Sequence, residues 1–132
     1  MSASQRNKGA AAERELFRLL SEQLGFVVVR NHAARWEGGC DSLSVEGWAI
    51  ECKRRETLSL GAWWNQAQRQ AEQTGRKPIL FYRQSRKPWR AVLDLHHVAP
   101  DTFTVPGSLC EMDLLDACTV IRESLPHRKD AR

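Results

Sequence analysis

The sequence predicts one mixed α/β domain, and three observations predict it. Apolar residues recur at helical spacing in two separated segments, 9–24 and 60–75. Short β-branched or aromatic runs of strand length lie between and after them, at 26–31, 41–45, 48–52, 77–84 and 88–95. The resulting order, α-β-β-β-α-β-β, is that of a mixed sheet with helices packed on it. A chain of 132 residues is long enough for one such core.

Each element has a local reason. Ala12, Leu16, Leu19 and Leu20 recur at three- and four-residue steps with Phe17 beside them, and Gly25 stands where a helix stops. "FVVVRN" is β-branched and short, a buried strand, and "HAARWEGG" is a glycine-rich loop. "DSLSV" and "WAIEC" are separated by Glu46-Gly47, which signals a hairpin. Ser59 is a possible N-cap for the second helix, "LGAWWNQAQRQAEQTG", and Gly75 its end. "KPILFYRQ" and "PWRAVLDL" are strands joined by the turn "SRKP". Beyond them "LHHVAPDTFTVPGS" is loop-like, with room for one helical turn. "CEMDLLDACTVIRESL" is either a helix or a helix interrupted by a short "CTVI" strand. Residues 1–8 form a flexible N-terminal arm, 9–125 the single domain, and 126–132 a disordered tail.

Composition narrows the function classes. Hydrophobic residues at 42% and charged residues at 27% are ordinary for a globular domain. No apolar run reaches the roughly 18 residues of a membrane span, and the first residues lack a secretory h-region, so a cytoplasmic protein with no membrane partner is expected. The four cysteines at 40, 52, 110 and 118 form no CxxC pair, which argues for free thiols over a zinc site. The net charge of +4 is unevenly spread: residues 1–90 hold 16 Lys and Arg against 9 Asp and Glu. Between Gly75 and Arg90 there are Arg76, Lys77, Arg83, Arg86, Lys87 and Arg90 with no acid. Such a run suits a polyanion such as nucleic acid, or is simply a solvated basic face.

The chemistry is concentrated in "VEGWAIECKRRE". Glu51 and Lys53 are two apart on a strand and therefore share a face. Asp41 opens the first hairpin arm and Glu51 closes the second, so antiparallel pairing brings them together. Two converging carboxylates make a hard-oxygen site suited to Mg²⁺, with Mn²⁺ as substitute. A cation there acidifies water, and Lys53 is placed to orient that water or stabilise an anionic transition state. Spacing alone is weak evidence, because an acid-x-lysine triplet is common by chance and can be a surface ion pair.

With these stretches, the chain resembles the PD-(D/E)XK nuclease superfamily, and more narrowly the archaeal-type Holliday-junction resolvases and their small phage and bacterial relatives. The resemblance is carried by "NKGAAAERELFRLL", "GGCDSLSV", "WAIECKRR" and "WWNQAQRQAEQTGRKPILFYRQSRKPWRAVL", across residues 7–95. It implies a restriction-endonuclease-like core, DNA as partner, and metal-dependent hydrolysis of phosphodiester bonds leaving 5′-phosphate and 3′-hydroxyl ends. Branched DNA and a homodimer with two sites are what the resolvase likeness implies. The alternatives are a recombination or restriction nuclease for single strands, flaps or ends, and a DNA-binding protein whose site no longer cuts. By the same resemblance, Asp41 and Glu51 match the metal ligands, the Cys52 backbone carbonyl a further ligand, Glu13 the helical glutamate completing the site, and Lys53 the motif lysine. Cys40 stands where the motif has proline.

Several residues carry two readings. Gln66 and Gln70, one turn apart, either contact phosphate and attacking water or form a polar face. Arg6 and Lys8 resemble a phosphate-binding arm or are disordered. Arg54, Arg55, Arg83, Arg86, Lys87 and Arg90 are the further candidates for DNA binding. Of Trp63 and Trp64 only one is expected to face the core. Trp36 is a candidate stacking residue or plain loop. Glu15 should face solvent or a basic neighbour. His96 and His97 lack a carboxylate partner other than Asp94, which favours a helix start or surface role over a metal.

Overall fold

A computed structural model describes residues 3–33 and 39–126 of the chain. Helix α1 (Ala3–Leu24) leads to strand β1 (Trp48–Arg54), helix α2 (Leu60–Glu72), and strands β2 (Lys77–Arg83) and β3 (Arg90–Asp94). The one-turn helix α3 (Leu95–Val98), strand β4 (Leu109–Asp113) and helix α4 (Leu114–Ser124) complete it. The sheet order is β1-β2-β3-β4. β1 and β2 are parallel, with Glu51 opposite Leu80, and the other pairs are antiparallel. Parallel neighbours need a crossover, and α2 supplies it.

Strand alternation sorts the sheet into two faces. Trp48, Ile50, Ile79, Phe81, Ala91 and Leu93 join one core with Ala12, Leu16, Phe17 and Leu20 of α1 and Leu114, Ala117, Cys118 and Ile121 of α4. On the other face Leu80, Tyr82 and Val92 pack under Trp63, Trp64 and Ala67 of α2. Glu51 and Lys53 belong to the α2 face by the same alternation. Both tryptophans are buried, contrary to the expectation that only one would be. Adjacent helical residues are about 100° apart, and the buried stripe of a helix lying on a sheet is at least that wide.

Other departures have local causes. α1 begins at Ala3 rather than Gly9, so residues 3–8 of the expected arm are helical. Residues 1, 2 and 127–132 lie outside the described residues, as does Trp36. The run 26–31 is not a ladder strand. Val27 is 74% and Val29 50% exposed, and only Val28 is buried. Its backbone is tied by serine hydroxyls: Val29 N–H donates to Ser44 Oγ at 3.0 Å, and Ser42 Oγ donates to the Val29 carbonyl at 2.5 Å. The hairpin at 41–52 is present, but its first arm pairs only through the bridge Ser42–Ile50. Gly47, at φ 84°, makes the turn that a side chain would strain. Ser59 occupies the N-cap position of α2 without a side-chain cap bond. After residue 95 the helical turn and a helix are present as expected, with "CTVI" helical rather than a strand, but Leu109–Asp113 forms an edge strand that the sequence did not suggest. His96 lies in the first turn of α3, its N–H donating to Oδ1 of the N-cap Asp94 at 2.9 Å.

Candidate active site

A cleft of about 440 Å³ opens at the outer edge of β1. α1 contributes Arg6, Gly9, Ala10 and Glu13, which are i, i+3, i+4 and i+7 on one helix face. Gly39 before the hairpin and Asp41 at its start come next, β1 contributes Glu51 to Arg54, Arg55 follows, and α2 contributes Gln66 and Gln70. Arg30, which sequence reasoning passed over, also lines it. The two small residues of α1 leave the open space between the two helices.

The hairpin positions the acids. Asp41 N–H donates to the Ile50 carbonyl at 2.9 Å, and Asp41 Oδ2 accepts from the Cys52 N–H at 2.7 Å. Residues of one parity along β1 thus turn their polar backbone toward this edge. The Cys52 carbonyl shares the direction of its N–H, since both groups of a strand residue point to one side. The Cys52 side chain packs against the main core. Glu51 is 4% exposed, and its Oε2 is buried without a hydrogen-bond partner. Burial, and then the charge of Asp41 and a hydrogen bond to it, push the Glu51 carboxyl up to about 9, while the Lys53 ammonium pulls it back. Glu13 is raised by burial and by Asp41, and lowered by Arg30, whose Nε lies 3.3 Å from Glu13 Oε1.

This donor set is short of positive charge. A divalent cation between Asp41 and Glu51 would supply that charge and satisfy the orphaned Oε2. Two carboxylates and an edge-facing carbonyl fit Mg²⁺ or Mn²⁺. Glu13 lines the same cleft beside Arg30, and among the described residues no three His, Cys, Asp or Glu side chains are grouped around one metal position.

The basic candidates divide. Arg6, Arg54 and Arg55 line the cleft. Arg54 is also braced, with Nη1 at 2.5 Å from Glu56 Oε1 and Nη2 at 2.6 Å from Ser85 Oγ. Lys8 is exposed on α1 and does not line the cleft. Arg83, Arg86, Lys87 and Arg90 are not cleft residues either. Arg83 Nη1 lies 2.7 Å from Glu15 Oε1, which also accepts from Trp89 Nε1 at 2.7 Å, so Glu15 has the basic neighbour expected of it. Arg90 pairs with Glu111 at 3.3 Å. Arg76 Nη1 donates to the carbonyls of Leu43, Val45 and Trp48 at 2.6, 3.0 and 3.2 Å. The Lys77 ammonium lies 4.7 Å from the Trp48 ring centre. Arg86 and Lys87 are exposed on the β2–β3 turn. Much of the acid-free run therefore braces the fold. The cysteines are free thiols. Among the described residues no helix is long and apolar enough to cross a membrane.

The family described as "Phage putative PDDEXK endonuclease" matches residues 4–105. Among solved structures, the chain is similar to Hjc of Archaeoglobus fulgidus, a Holliday junction resolvase from an archaeal hyperthermophile. The identity is 21%, the match covers 94% of this chain and 95% of that one, and the TM-score is 0.48. No curated protein matches.

Proposed function

The chain belongs to the phage PDDEXK endonuclease family, and from that premise we propose that it is a divalent-metal-dependent DNA endonuclease whose preferred substrate is branched. The observation that carries the metal dependence is the half-buried Asp41 beside the buried Glu51, whose Oε2 is orphaned. Asp41, Glu51 and the Cys52 carbonyl would hold Mg²⁺ or Mn²⁺. When bound, the cation supplies Lewis acidity to a water and to a phosphate oxygen. The chain's own groups do the rest. The Lys53 ammonium, on the cleft face of β1, stabilises charge developing on the scissile phosphate. The Gln66 and Gln70 amides, on one face of α2, orient the phosphate and the attacking water. Arg6, Arg54 and Arg55 hold flanking phosphates.

The branched substrate and a homodimer with paired sites come from the likeness of the motif stretches to junction resolvases. The test is a cleavage panel of linear duplex, single strand, flap and four-way junction, each with Mg²⁺, Mn²⁺ and EDTA. The junction should be cut fastest with either metal, and nothing should be cut in EDTA. Asp41→Asn and Glu51→Gln should abolish cutting while DNA binding holds or tightens, since each removes an acid beside a polyanion. Full activity in EDTA would overturn the metal dependence. A junction cut no faster than a flap or single strand would reassign the substrate. Binding without cleavage under every metal would make the chain a silent DNA-binding protein.

A further inference from the structure

We propose that Arg30 is a positioning residue that holds Glu13 away from the Asp41–Glu51 pair until a DNA phosphate takes Glu13's place on the guanidinium. This rests on the reading of Asp41 and Glu51 as the cation site. The three carboxylates line one cleft. Glu13 and Asp41 feel each other's charge, yet no three-carboxylate grouping exists among the described residues. What Glu13 has instead is Arg30, Nε to Oε1 at 3.3 Å.

The base of Arg30 is fixed while its head reaches solvent. Val29 is bonded to Ser42 and Ser44, and Asn31 N–H donates to the Asp41 carbonyl at 2.7 Å. The Arg30 backbone thus rides on the hairpin arm that carries Asp41. Its side chain is 54% exposed, whereas the Glu13 side chain is 15% exposed. An ion pair with one partner so open to water is weak. A phosphate offers a guanidinium two acceptors at once and a stronger, forked contact. DNA arriving at the cleft mouth therefore competes for Arg30 from the solvent side and releases a carboxylate on the inner side. The consequence is reciprocal coupling, in which DNA tightens the cation and the cation tightens DNA.

The test is Mn²⁺ binding by titration calorimetry on the full chain without DNA. Arg30→Gln should bind Mn²⁺ more tightly than wild type, by about fivefold, the scale of one exposed ion pair. In a Glu13→Gln background the same change should give no gain. A gain of equal size in both backgrounds would reduce Arg30 to a general repulsive charge and overturn the proposal. No gain in either would overturn it too. Glu51→Gln separates this failure from that of the cation site. If Glu51→Gln binds Mn²⁺ like wild type, the site itself is misplaced. If it loses binding while Arg30→Gln changes nothing, only the role of Arg30 falls.

Discussion

Lys53 and Glu51 share one strand face in the cleft, and their charges oppose each other's effects on the site. Lys53→Ala removes one cation among several near DNA, so affinity should fall modestly. It also removes the group placed at the developing charge. Single-turnover cleavage should therefore fall by roughly two orders of magnitude or more, and Lys53→Arg should rescue poorly because a planar fork is not a compact ammonium. A Lys53→Ala enzyme cutting at near wild-type rate would return the triplet to a surface ion pair. Glu51 makes a second prediction, on stability. Its carboxyl ordinarily titrates at 4.5 and in the fold near 9. Between those values the folded chain holds more protons than the unfolded one, so stability falls as pH rises through that window, by at most about 1.4 kcal/mol per pH unit. Without divalent metal, Glu51→Gln should raise Tm at pH 8 relative to wild type and flatten the decline of Tm between pH 5 and 9. Unchanged Tm curves would mean that Glu51 carries no such penalty.

At the scale of elements, the hairpin that presents Asp41 is held from outside. The Arg76 guanidinium bonds three carbonyls of the segment 43–48. Arg76→Met keeps the stem and strands those carbonyls. Urea unfolding should show a loss of about 2–3 kcal/mol, the scale of buried groups left unpaired. A loss under 0.5 kcal/mol would mean that water replaces the bonds. Long periodic segments were legible in the sequence: α1, α2, β1, β2 and β3 lie where apolar spacing puts them. The site motif was legible too, because a two-residue strand step and a hairpin turn fix Asp41 against Glu51 locally. The misses share a cause. Val27 and Val29 carry strand propensity, but their partners are serine hydroxyls, and propensity does not encode a partner. β4 alternates between exposed and half-buried residues but buries no side chain fully, so an edge strand of five residues left little apolar signal. Arg30 sits in no motif and reaches the cleft only through the fold.

At the scale of the molecule, charge counting overstates the DNA-binding face. Arg83 and Arg90 are spent on Glu15 and Glu111. Arg55→Ala, at the cleft, should lower the slope of log K against log salt by about 1. Arg90→Ala should leave that slope unchanged. Fluorescence anisotropy with a labelled duplex across a salt series measures both, and the opposite result would move the binding face to the β2–β3 side.

The core that joins α1 to α4 has a consequence for biosynthesis. Leu16, Phe17 and Leu20 share one apolar cluster with Leu114, Ala117, Cys118 and Ile121, and Arg122 Nη1 reaches the Gln23 carbonyl at 2.8 Å. During synthesis α1 therefore finds part of its packing only in residues made about a hundred positions later. Until α4 leaves the exit tunnel, the apolar face of α1 has only part of its cover, and a nascent chain in that state is open to aggregation. Contacts of such long sequence separation also slow folding. The cleft at β1, which α1 lines, therefore gains its full support only once α4 has packed.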